Sequence, residues 1–112
     1  MPYLKIQTNV AIESGPSLLA KASRLIAGRL GKPERYVMVA LEPATAMSFA
    51  GTGAPLAYLE LKSIGLPRSA TAELSQALCT LMHEELDVSQ DRVYIEFCDC
   101  DAGLWGWNGT TF

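Results

Sequence analysis

Side chains that commonly carry catalysis are scarce in this chain. Its one histidine, His83, stands beside Glu84 with no serine elbow near it, and reads as a helix-surface residue rather than a base. Gly51-Thr52-Gly53 has no third glycine at the dinucleotide spacing and opens no helix, so it reads as a turn. Cys98-x-Cys100 is flanked by Asp99 and Asp101, but His83 is distant and no metal site is expected. What remains is Pro2, directly after Met1. Removal of Met1 would leave its nitrogen as a secondary amine at the chain end. An exposed α-amino group titrates at about 7.7 to 8.0, and an apolar pocket or a neighbouring cation disfavours its protonated form. Held in such a pocket, Pro2 is an unprotonated base at neutral pH.

A base needs a rigid mount, and the periodicity supplies one. Tyr3 to Asn9 alternates Leu4, Ile6 and Thr8 with Tyr3, Lys5, Gln7 and Asn9, the pattern of a half-buried strand that begins immediately after Pro2. Ser14-Gly15-Pro16-Ser17 starts a helix whose Leu18, Leu19, Ala22, Leu25, Ile26 and Leu30 share one stripe, and Gly31 ends it. Tyr36 to Leu41 reads as a second, more deeply buried strand. The order then repeats: a strand over Ala57 to Ile64, a helix over about Ser69 to Leu86, and a strand over Val93 to Cys98. An offset of 57 aligns Leu4-Lys5 with Leu61-Lys62 and Glu34-Arg35 with Asp91-Arg92.

The expected fold is therefore α+β: two βαβ repeats forming a four-stranded mixed sheet with both helices on one face. At 112 residues this is one domain over 1–112, with halves of about 2–56 and 57–112. The other sheet face would carry Tyr3, Lys5, Gln7, Tyr58, Glu60 and Lys62, which suits a subunit contact or a wet channel. The tail from Gly103 to Phe112, with three large aromatics, is expected to reach across to a neighbour. A net charge of −3 without a basic block argues against nucleic acid, and no apolar run is long enough to cross a bilayer. With no signal-peptide pattern, the expected compartment is the cytoplasm, with Cys79, Cys98 and Cys100 reduced.

Pro2, Gly31-Lys32-Pro33 before Tyr36, Ser63-Ile64-Gly65, Asp91-Arg92-Val93-Tyr94-Ile95, and Gly106-Trp107-Asn108 with Thr111-Phe112 together resemble the macrophage migration inhibitory factor family of the tautomerase superfamily. The similarity runs nearly end to end. It implies a homotrimer and a cofactor-independent keto–enol tautomerase whose base is Pro2. It further implies that Lys32 pairs with a substrate carboxylate or polarises its carbonyl, and that the backbone N–H of Ile64 adds a hydrogen bond. Tyr94 would come from the adjacent subunit, and Tyr36, Trp107 and Phe112 would wall an aromatic ring, so that a small aromatic keto or enol acid of the phenylpyruvate type is the implied substrate.

Departures from the family pattern accompany the match. Leu56-Ala57-Tyr58-Leu59 stands in place of the mammalian Cys-x-x-Cys, so thiol–disulfide activity does not carry over. Glu96 replaces an asparagine, which places a carboxylate where it bears on acidic substrates and on the proline pKa. Trp105 replaces a small aliphatic residue, which would narrow the pocket or the trimer contact. The alternative reading is a cytokine-like trimer that acts on a receptor with vestigial activity; Ala44, in place of an aspartate tied to receptor mimicry, gives that reading no support.

Overall fold

The computed structural model of the chain describes residues 1–112. Its elements run β1 (Tyr3–Thr8), α1 (Gly15–Leu30), β2 (Met38–Glu42), β3 (Ala57–Ile64), α2 (Thr71–Leu86), β4 (Val93–Cys100), then two short strands β5 (Gly106–Trp107) and β6 (Thr110–Thr111). The main sheet has the order β2-β1-β3-β4, parallel within each half and antiparallel where β1 meets β3. This is the mixed sheet expected of two βαβ units joined at their first strands.

Alternation decides which face is wet. Leu4, Ile6 and Thr8 of β1 and Ala57, Leu59, Leu61 and Ser63 of β3 are buried, and Leu18, Ala22 and Ile26 of α1 and Leu74, Leu78, Leu81 and Met82 of α2 close over the same side. Both helices thus share one face. Thr8 is tolerated in that core because its hydroxyl donates to the Leu56 carbonyl (2.6 Å) and accepts from the Val10 N–H (3.1 Å). On the opposite face Lys5 lies 3.9 Å from both Glu42 and Glu60, and the Tyr58 hydroxyl lies 3.3 Å from Glu60 and 3.4 Å from Glu96. Burial, and then the charges of Glu96 and Glu60, push the Tyr58 phenol up from its ordinary value.

Three expectations change. The second strand starts at Met38 rather than Tyr36, because Pro33 (φ −61°) opens a 3-10 turn over Glu34–Tyr36, closed by the Val37 N–H donating to the Glu34 carbonyl (3.0 Å). That strand is also an edge strand and only partly buried, with both ends exposed. Helix α2 starts at Thr71, after a similar turn over Arg68–Ala70, rather than at Ser69. The tail folds back on its own chain. Asn108 (φ 52°) and Gly109 (φ 77°) are both left-handed, and they close β5 onto β6 as a two-residue hairpin. No helix is long and apolar enough to cross a membrane.

Candidate functional site

Pro2 lies at the head of β1, fully buried, its carbonyl accepting from the Met38 N–H at 3.0 Å. The same bond starts the parallel pairing of β1 with β2, so the proline is fixed by the sheet itself. The register that pairs Tyr3 with Lys62 sets Pro2 across from Ser63, with Ile64 one position further on the last rung of β3 beside Cys100. Ile64 therefore sits at the proline's end of the sheet.

A cavity of about 530 Å³ opens around this corner. Its lining includes Met1, Pro2 and Tyr3, the turn residues Arg35 and Tyr36 with Val37 and Met38, and from the tail Trp105, Gly106, Trp107 and Phe112. The hairpin explains the tail's presence there. Trp107 meets Tyr36 edge to face (5.9 Å, 81°), Phe112 stacks on Trp107 (5.5 Å, 15°), and the Phe112 N–H donates to the Trp105 carbonyl (3.2 Å). Tyr36, Trp107 and Phe112, three residues chosen from the sequence, are thus gathered against the proline within one chain.

The electrostatics of the corner favour a neutral amine. In the structure Met1 still caps Pro2, and its terminal ammonium is held below the usual α-amino range, first by burial and then by the Lys32 charge. Lys32 is placed by the end of α1: Gly31 adopts φ 63°, and the Lys32 N–H turns back to the Ala27 carbonyl at 3.0 Å. A second cation was not foreseen. Arg35 lines the cavity with its guanidinium 4.8 Å from the Tyr36 ring centre. The signal for it was the Pro33-Glu34-Arg35-Tyr36 turn, which hides the direction of its side chains until the 3-10 geometry is known.

Four predicted residues do not line this cavity: Lys32 and Ile64 stay near its corner, whereas Tyr94 and Glu96 lie farther off. Tyr94 pairs with Tyr58, which in turn pairs with Gln7, four positions along β1 from Tyr3 and so about 13 Å down the strands. It is 66% exposed and packs its ring on Phe49 at 4.7 Å. Glu96 pairs with Glu60 on the polar face and takes no part in lining the Pro2 cavity. Trp105, by contrast, lies in the cavity wall.

Beside the buried Pro2 the corner holds an aromatic cleft and Arg35, with Lys32 near enough to act on the chain-end amine, groups that suit a planar acid and a proton transfer next to its carbonyl. The profile of the family described as "Macrophage migration inhibitory factor (MIF)" matches residues 1–112. The chain is 39% identical to the macrophage migration inhibitory factor of Rattus norvegicus over 114 residues, covering 100% of this chain and 99% of that protein. It is 40% identical to the macrophage migration inhibitory factor homolog of Brugia malayi, with the same coverage. Among solved structures, the macrophage migration inhibitory factor homologue of Prochlorococcus marinus superposes with a TM-score of 0.94 at 45% identity, covering 98% of both chains.

Proposed function

The chain belongs to the macrophage migration inhibitory factor family, and from that premise we propose that it is a cofactor-independent keto–enol tautomerase of small aromatic keto acids, with Pro2 as its base. The observation that carries the reading is the burial of Pro2 at the head of a cavity walled by Tyr36, Trp107 and Phe112. With Met1 removed, the imino nitrogen lies one residue from where burial and Lys32 already disfavour the Met1 ammonium. It takes a proton from the carbon next to the substrate carbonyl, and the electron pair left behind moves onto the carbonyl oxygen. Lys32 pairs with the carboxylate or the developing enolate oxygen, and the Ile64 N–H donates a further hydrogen bond there. The proton then returns to oxygen in the enol direction, or to carbon in reverse, and Pro2 is neutral again.

The working unit is a homotrimer in which Tyr94 closes the pocket of an adjacent subunit. Support comes from the single chain, where Tyr94 is stranded at the opposite end of the sheet from Pro2. The proposed residence is the cytoplasm.

Intact-mass measurement and steady-state turnover of phenylpyruvate test the base directly. The expected mass lacks Met1. Pro2→Gly, which keeps a terminal amine of different basicity and geometry, lowers kcat/KM by about 10²- to 10⁴-fold, the range of a positioned general base. Retention of Met1 in an active protein, or turnover unchanged in Pro2→Gly, overturns the mechanism.

A further inference from the structure

On the polar face of β4, Cys98 and Cys100 point the same way, and their sulfurs stand 3.5 Å apart. Both are half-buried and neither is in a disulfide. The flanking Asp99 and Asp101 are the carboxylates that the spacing offers as further donors, with His83 distant. The structure assigns both carboxylates other work. Asp99 accepts from the Leu66 N–H at 3.0 Å on the helix side, and Asp101 accepts from the Gly103 N–H at 2.9 Å. No cluster of three or more His, Cys, Asp or Glu side chains that could hold a metal is present. No third metal-ligating side chain joins the two sulfurs.

That poverty of donors selects the ligand. Structural zinc asks for four ligands, and iron–sulfur clusters commonly take four thiolates. A soft monovalent cation satisfied by two thiolates has no such demand, and thiolate donors favour Cu(I) among the common metals. The charge also balances. Two thiolates and one Cu(I) carry a net −1, and Lys62 pairs directly with Cys98 across the β3–β4 ladder. We propose that Cys98 and Cys100 form a two-thiolate site for Cu(I): each sulfur gives its proton to solvent as its bond to copper forms, and no electron is transferred. Lys62 is a positioning charge beside it.

The test is an anaerobic titration of the full-length, reduced protein with the tetrakis(acetonitrile) complex of Cu(I), in competition with bicinchoninate. One Cu(I) bound per chain with release of two protons is expected. Cys98→Ser and Cys100→Ser should each weaken binding by more than about 100-fold, beyond the 10- to 100-fold that loss of a supporting partner costs. Cys79→Ala should change nothing, since Cys79 lies on α2. Equal affinity in wild type and either serine variant overturns the site, and so does Zn(II) competing on equal terms. X-ray absorption of the wild-type copper complex needs no variant to fold: two sulfur neighbours per copper support the proposal, and nitrogen or oxygen neighbours alone refute it.

Discussion

At Pro2 the decisive quantity is the free energy of one proton. An amine whose surroundings disfavour the ammonium form titrates below the ordinary α-amino range of about 7.7 to 8.0. Activity that needs the free base is absent at low pH and rises as pH climbs through the depressed value, then stays level through neutrality. The kcat/KM profile for phenylpyruvate should therefore show its acid limb below pH 7.7, and a limb at or above 8 would mean an exposed terminus. Lys32→Gln, by removing the cation that adds to burial, should move that limb upward. Arg35 does a different job. Its guanidinium is held against the Tyr36 ring at the cavity wall, where it would meet an acid in the proposed site before and during reaction alike. Uniform binding of that kind appears in KM rather than kcat. Arg35→Gln should raise KM for an anionic aromatic keto acid about tenfold with kcat nearly unchanged, and leave KM for the corresponding neutral ester alone. An equal effect on acid and ester would assign Arg35 to packing.

Each βαβ half has an arginine just before its second strand, and the two do different work. Arg35 faces the Pro2 cavity, whereas Arg92 gathers the 43–56 connection: its guanidinium donates to the carbonyls of Pro55 (3.0 Å), Phe49 (3.2 Å), Thr52 (3.3 Å) and Ala54 (3.1 Å), and stands 5.3 Å from the Phe49 ring centre. Only a planar fork reaches several carbonyls at once, so Arg92→Lys should recover little of what Arg92→Ala loses, about 2 to 3 kcal/mol. A urea midpoint that falls at constant m, with the Phe49–Tyr94 packing loosened, is the expected reading. Unchanged stability would make the clamp ornamental. The same elements show what was legible beforehand. Strict alternation in β1 and β3 and the leucine stripes of α1 and α2 announce themselves, because period and burial coincide there. The Glu34–Tyr36 turn does not, since Tyr36-Val37-Met38 is as apolar as a strand and only the fixed φ of Pro33 warns otherwise. The β5–β6 hairpin has a local signal in Asn108-Gly109, a pair suited to a two-residue turn but flanked by aromatics that do not alternate as strands do. Arg35 joined the site through tertiary placement, which no periodicity encodes.

For the whole molecule, the question is what completes the pocket. Within one chain the sheet ends in two open edges, β2 and β4, and Tyr94 faces away from the proline's end with two-thirds of its surface free. A cyclic trimer that sets one protomer's β4 against another's Pro2 corner resolves both facts, and it should sediment at three times 12.1 kDa. Mass alone does not say whose tyrosine serves whose proline. Subunit mixing does. Pro2→Gly homotrimers have no base, and Tyr94→Ala homotrimers have an incomplete wall, so each alone should turn over phenylpyruvate poorly. Unfolded together in equal amounts and reassembled, they form mixed trimers. If each site takes Pro2 from one chain and Tyr94 from its neighbour, roughly a quarter of the sites regain both residues, from even odds at each of two positions. If both residues act within one chain, every site carries a defect and mixing restores nothing. Recovered turnover of about a quarter of wild type is the outcome expected of the shared pocket; activity no higher than the mean of the two parents would place Tyr94 outside it.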